Sequence, residues 1–346
     1  MNNIRSIGLI AVVLVAVAMG VVLVVNNQPL TTGATLARDG DQIAVLIGVK
    51  GKASNLFVLD VRSGEFVQLT QGDDLLMAEW SPDGESVALI YGQERELYVL
   101  DVETGDAQKI DASDESIWQT TWSPDGQQLA YRTDGSIFLV NADGSGDREL
   151  AKYSRASSFD WSPGGATIAY VWLDDPGDTR TAASIYEIKA DGSETQLLIP
   201  FEGNAANPLF SPDGAHILFV DENANVEIGA VPTDILYMAN ADGSEIRKID
   251  VLASRSPLRW SPDGQQILYE NITADGDVGI CRFLVAAQES ECGYFRFQPI
   301  WNGTVEKFAY YDTFVSNRIC VSTDFSSGEC FVLPENGFTD IVGWRP

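Results

Sequence analysis

The sequence predicts an all-β fold: a seven-bladed β-propeller of four-stranded blades, closed by its own C-terminal strand and preceded by one N-terminal transmembrane helix. Three observations predict it. A turn phrase recurs along the chain at a nearly constant period, each copy is followed by an apolar strand ending in an aromatic residue, and one long uncharged run lies near the N-terminus.

The uncharged run comes first in the chain. Ile7 to Val25 reads IGLIAVVLVAVAMGVVLVV, 19 residues without a charge. At about 1.5 Å rise per residue it nearly matches a hydrocarbon core of about 30 Å. Arg5 and the amino terminus put positive charge before it, so residues 1–6 are expected as a short cytoplasmic end, 7–25 as a signal anchor and 26–35 as a linker. The remainder, 36–346, is then outside the cytoplasm at the cell membrane. Cleavage near Ala18, where Ala16 and Ala18 give a small-x-small pattern, would instead release a secreted protein.

The repeats follow. Trp80–Gly84, Trp122–Gly126 and Trp260–Gly264 read WSPDG, Phe210–Gly214 reads FSPDG, and Trp161–Gly165 reads WSPGG. Their aromatic residues stand 42, 39, 49 and 50 positions apart, the length of a four-stranded propeller blade. Proline fixes φ inside the turn, aspartate tolerates the bridge region, and glycine accepts the left-handed conformation that closes it. After each turn comes a strand such as Leu129–Tyr131, Ile168–Tyr170, Ile217–Phe219 or Ile267–Tyr269, apolar enough to lie between blades. A third strand then runs into a second turn, as in Ile137–Gly144 and Ile235–Gly243.

Two weaker copies complete the count. Trp301 leads to Phe308–Tyr310 without the Pro-Asp-Gly turn, and Ile43–Val45 with Leu56–Asp60 form second and third strands that lack a first. The missing strand is expected at 340–346, where Trp344 begins a turn that does not continue. Pairing the two chain ends would close the ring and remove its open edges.

The WSPDG phrase, the LAY strand and the NADGS turn resemble the repeat of TolB-type (WD40-like) propellers. The resemblance covers residues from about 36 to the end. It implies a toroid. It is specific for the fold and poor for function, since periplasmic interaction proteins, the propellers of prolyl-oligopeptidase-like peptidases and some lyases share the repeat. For TolB itself the implied role is protein–protein interaction in the bacterial envelope. This chain differs from TolB proper in its anchor and in showing no α/β domain before the ring.

Charge narrows the partners. Fifty acidic residues against 22 basic ones give a formal net charge of −28, which repels nucleic acid. The four cysteines fall late, and the spacing Cys281…Cys292 and Cys320…Cys330 places each pair across a hairpin within disulfide reach. The expected bridges are Cys281–Cys292 and Cys320–Cys330, at home in an oxidising compartment.

Catalytic groups are sparse. His216 is the single histidine, and its place in the repeat, shared with Gln128 and Gln266, suggests a strand start near solvent. That leaves no base for a Ser-His-Asp triad and no His-rich metal site. No cofactor is expected, and the chain reads as a binding module rather than an enzyme.

Two surfaces could recognise a partner. Residues just before the phrase aromatics should line the channel, and Glu79, Asp160 and Arg259 are the charged ones. Blades four and five carry longer connections between second and third strands, around 173–178 and 221–227, which should rise on the face opposite the SPDG turns. Trp172, Asp174, Asp175, Asp178, Glu222 and Glu227 are the candidate contacts there. The function expected is an anchored extracytoplasmic scaffold for an envelope protein, a peptide or a glycan. The alternatives are a carbohydrate-active or other hydrolytic enzyme working through channel carboxylates, and a structural envelope component without a ligand site.

Overall fold

The computed structural model describes residues 42–48, 54–70, 75–110, 115–152, 158–173, 182–222, 233–253, 257–272, 278–293, 300–301, 307–312, 318–323, 328–334 and 338–345. The predicted cytoplasmic end, anchor and linker lie outside these residues. Among those described, no helix is long and apolar enough to cross a membrane.

Seven four-stranded antiparallel sheets are present. Blade 1 joins the C-terminal strand Phe338–Trp344 to Gln42–Gly48, Ser54–Asp60 and Phe66–Gln68. Blade 2 comprises Leu75–Trp80, Ser86–Tyr91, Glu96–Asp101 and Ala107–Lys109, and blade 3 comprises Gln119–Trp122, Gln128–Arg132, Ser136–Asn141 and Arg148–Lys152. Blade 4 runs Phe159–Trp161, Thr167–Leu173, Ala183–Lys189 and Thr195–Ile199, and blade 5 runs Ala205–Phe210, His216–Asp221, Thr233–Asn240 and Arg247–Ala253. Blade 6 is Arg259–Trp260, Gln266–Ile272, Val278–Leu284 and Glu289–Gly293, and blade 7 is Ile300–Trp301, Phe308–Asp312, Arg318–Ser322 and Glu329–Val332.

The turn phrase works harder than its sequence suggests. Gly84 N–H donates to Ser81 O (2.9 Å), and Gly84 sits at φ +67°, where a side chain would be strained. Ser81 Oγ donates to Asp83 Oδ1 (2.6 Å) and accepts from Ser86 N–H (2.9 Å). Asp83 Oδ1 also accepts from Glu85 N–H (2.9 Å). Blades 3, 5 and 6 repeat the Ser–Asp bond at Ser123–Asp125, Ser211–Asp213 and Ser261–Asp263, each at 2.6 Å. The aspartate is thus a hydrogen-bonding member of the turn as well as a residue suited to its backbone. Blade 4 has Gly164 in its place and so lacks the carboxylate, keeping the approach of Ser162 Oγ to Thr167 O (3.1 Å) that blades 2 and 5 also show at Ser81–Ser86 and Ser211–His216.

No blade is stable by itself, because each sheet is apolar on both faces. Seven apolar clusters among the described residues each span two neighbouring blades. Ala44 and Leu56 meet Trp80 and Leu89 between blades 1 and 2. Ile90 and Leu97 meet Trp122 and Tyr131 between blades 2 and 3. Equivalent clusters join blades 3 to 4, 4 to 5, 5 to 6 and 6 to 7. The seventh packs Ile43, Val45 and Leu59 against Ala309, Ile319 and Val321, so blade 7 returns to blade 1. Each large apolar side chain so buried contributes about 1.5–3 kcal/mol, and the cluster between blades 7 and 1 forms only when the ring is complete.

Closure has a second component. Ile43–Gly48 pair antiparallel with Phe338–Trp344 in the register Ile43↔Trp344 to Gly48↔Phe338, with one irregularity between Ala44 and Val45. Arg345 occupies the serine position of the phrase, and its N–H donates to Gln42 O (2.8 Å), as Ser81 N–H does to Ser86 O (2.9 Å). Its side chain is buried: Nε donates to Gly84 O (2.8 Å), an Nη to Gln42 Oε1 (2.9 Å), and the guanidinium lies 5.5 Å from the Trp80 ring centroid. One residue therefore ties the last strand, the first described strand and the turn of blade 2 together.

Both expected disulfides are formed. Cys281–Cys292 and Cys320–Cys330 join directly opposed third- and fourth-strand residues, with Cα–Cα separations of 4.1 and 4.0 Å.

Candidate functional site

The innermost strands surround an axial cavity of about 590 Å³, lined by residues of blades 2 to 6. Its wall is built from strand alternation, since the phrase aromatic turns into the inter-blade core and the residue before it faces the axis. Glu79, Thr121, Asp160, Leu209 and Arg259, the predicted pre-aromatic series in these blades, all line it. Gln119, Ser158 and Asn207 add polar groups, and Met77, Phe159, Pro208 and Leu258 add apolar ones.

Glu79 and Asp160 hold equivalent positions and make equivalent bonds. Glu79 Oε1 accepts from Thr121 Oγ1 (2.9 Å) and, at the limit of length, from Trp122 N–H (3.5 Å). Asp160 Oδ2 accepts from Phe210 N–H (2.8 Å). Each carboxylate thus caps the backbone of the phrase aromatic in the next blade. Protein surrounds both groups, although their outer surfaces touch the channel, and the loss of hydration pushes each pKa up to about 7. The Thr121 and Trp122 bonds oppose the rise at Glu79, Asp160 adds to it, and Arg259 opposes it. Arg259 is exposed to the channel yet ringed by protein, and desolvation lowers its pKa while the charge of Glu79 raises it. Its Nη donates to Leu258 O (3.0 Å).

Two exposed apolar side chains adjoin lining residues of the cavity along the chain. Trp118 precedes the inner strand of blade 3, Leu76 lies near the start of that of blade 2, and they are 41% and 44% exposed among largely buried neighbours. Arg95, in the hairpin between second and third strands of blade 2, places its guanidinium 3.9 Å from the Trp118 ring centroid. In blade 5 the inner strand is bulged between Ala206 and Leu209. Asn207, at φ +52°, faces the cavity there, and its N–H donates to Ser158 Oγ (2.8 Å). Bulges at such places re-aim a side chain without breaking the sheet.

The predicted insertion face is only partly described. Asp174, Asp175, Asp178 and Glu227 lie outside the described residues. Glu222 follows the second strand of blade 5, where Asn204 Nδ2 donates to its Oε2 (3.5 Å). Trp172 is half-buried, with Tyr170 and Tyr186 rings at 6.5 and 6.4 Å between centroids. Leu76, Arg95 and Trp118 carry no repeat signature. Trp118 alone offered a signal, an aromatic standing just before an inner strand, where the repeat needs none.

His216 differs from its expected setting. It is half-buried at the start of its strand, its ring stacks on Trp260 at 6.4 Å and 12°, and its Nδ1 is enclosed. The neighbouring blade's indole covers it, which the repeat position alone did not reveal. Among the described residues no group of three or more His, Cys, Asp and Glu side chains is arranged to hold a metal ion.

No family model matches the chain. An uncharacterised peptidase, YuxL, of Bacillus subtilis is 25% identical over 190 residues, covering 54% of this chain, which in turn spans only 28% of the peptidase. The uncharacterised protein Atu1656 of Agrobacterium fabrum is 26% identical over 236 residues, 64% of this chain and 74% of that protein. Among solved structures, TolB from Acinetobacter baumannii superposes with a TM-score of 0.55 at 14% identity, covering 90% of this chain and 68% of TolB. An oligogalacturonate lyase in complex with manganese gives 0.64 at 15% identity, covering 86% and 87%. The fold is that of the TolB-type propellers, and it is shared by an oligogalacturonate lyase, so the fold alone does not decide function.

Proposed function

We propose that this protein is an extracytoplasmic binding module, anchored by residues 7–25, that engages a protein partner at the Trp118 mouth of its axial channel. The observation that carries the reading is that exposed Trp118 and Leu76 are the chain neighbours of Gln119 and Met77, which line a cavity whose wall also holds Glu79, Asp160 and Arg259. Binding hot spots are enriched in tryptophan and arginine, the pair that Trp118 and Arg95 form. The disulfides suit the proposed location, because such bonds persist in oxidising compartments.

The test is co-purification from solubilised envelope by the wild type and by the Trp118→Ala and Leu76→Ala variants. Partner retention by wild type and loss by Trp118→Ala supports the reading. Equal retention by all three removes the mouth from it.

A second reading, a hydrolytic enzyme, draws on Glu79 and Asp160 sharing one cavity. Glycosidase chemistry asks two carboxyls to differ in environment, one kept protonated and one ionised. Here both are held near the same value by the same cause, and both are engaged in joining blades. That similarity favours the binding module. Turnover of a glycan lost in both Glu79→Gln and Asp160→Asn would reverse the preference.

A further inference from the structure

Resting on the binding-module reading, we propose that the axial channel is a receptor for one aliphatic ammonium group, the side chain of a lysine presented by the partner polypeptide, seated between Glu79 and Asp160.

The sign of the charge comes first. Among the described residues the ionisable groups lining the cavity are Glu79, Asp160 and Arg259, two acids against one base, so these three carry one net negative charge once both acids are ionised. A single cation neutralises it, and the formal net charge of −28 draws cationic segments toward the ring.

The geometry of the acceptors then selects the kind of cation. A guanidinium is recognised best by a carboxylate offering both oxygens to its planar fork. Neither acid offers that. Glu79 commits Oε1 to Thr121 and Trp122, and Asp160 commits Oδ2 to Phe210 while also accepting from the Trp161 backbone. An ammonium is a compact charge with three donors that can take one oxygen from each acid. The lysine stem would run past Met77 and Leu209, partly buried apolar members of the same wall. At the mouth, Trp118 and Leu76 are exposed to pack against residues flanking that lysine.

The acids also set the conditions. Burial holds both near pH 7, so the channel gains its negative charge as pH rises through neutrality while Arg259 remains cationic. Affinity for an ammonium must therefore rise in the same interval.

The experiment uses the whole chain in detergent and measures binding of N-acetyl-lysine methylamide by NMR at pH 8 and pH 6, beside its norleucine and arginine counterparts. The expected result is lysine binding at pH 8 that weakens at least about tenfold at pH 6, since a group titrating near 7 loses most of its charge over that range. Norleucine should bind at least about tenfold more weakly than lysine, because it lacks the charge. Asp160→Asn and Glu79→Gln each keep the oxygen that links the blades and should each abolish the lysine preference. Thermal unfolding confirms that each variant is folded.

Equal binding of norleucine, tighter binding of arginine, absent lysine binding at pH 8, or indifference to both variants overturns the proposal. Partner retention that depends on Trp118 separates the two readings. If it survives while lysine fails, the ammonium site is wrong and the binding face stands; if it fails too, both fall.

Discussion

At the residue scale, two sets of carboxylates oppose each other in pH dependence. Glu79 and Asp160 have folded pKa values raised to about 7 from ordinary values of 4.5 and 3.8, because burial disfavours their charge. Their contribution to stability is full below the unfolded values and is lost as pH rises through 7. Asp83 and Asp125 are shifted the other way, chiefly by the Ser81 and Ser123 hydroxyls, so their contribution is present above the unfolded value and is lost as pH falls through their folded values. Wild type should lose melting temperature between pH 5 and pH 8, and Glu79→Gln or Asp160→Asn should flatten that slope. Arg345 makes a different prediction. Arg345→Ala leaves Gly84 O and Gln42 Oε1 without their donor and should cost about 2 kcal/mol in urea unfolding. Lysine cannot reproduce the two-armed contact and should recover only part of it. The sequence showed Glu79, Asp160 and Arg259 on the axis because alternation from the phrase aromatic fixes which residue faces it. It did not show that the two acids also fasten blade to blade, since that depends on how far neighbouring inner strands are offset. Nor did it reveal Arg345, whose partners stand 261 and 303 positions away.

At the scale of the element, the turn phrase is the unit of design, and blade 4 supplies a natural variant. A Cβ at Gly164 would meet nothing within 4 Å. Gly164→Asp should restore the Ser–Asp bond found in blades 2, 3, 5 and 6 and stabilise the protein by about 0.5–1 kcal/mol, read from the urea midpoint. The second turn of blade 5 is less forgiving. Gly243 sits at φ +81° and a Cβ there would lie 2.0 Å from Leu198 O of blade 4, so Gly243→Ala should cost more than about 1 kcal/mol. The hairpin bridges close loops of 11 and 10 residues, and reduction should remove roughly 2–3 kcal/mol for each, measured as a lower urea midpoint in reductant. These elements were legible because proline, glycine and cysteine leave local signatures. The bulge before Leu209 had a local signal as well, because Pro208 stands inside the strand, where proline is confined to edges and bulges, but the turn phrase alone does not point to it.

At the scale of the whole molecule, the ring is one cooperative body because its apolar clusters lie between blades rather than within them. Its closure was legible in a first blade without a first strand and a final strand without a blade. The contact of Trp118 with Arg95 was less legible, since the two come from different blades and meet only when blades 2 and 3 pack together. The most direct test of the central claim places a photoreactive phenylalanine analogue at position 118, at the mouth, or at position 82, in an exposed turn on the opposite face, and illuminates cells expressing each. The account predicts a discrete cross-linked partner from position 118 and none from position 82. A partner captured from position 82 alone, or from neither, would contradict it.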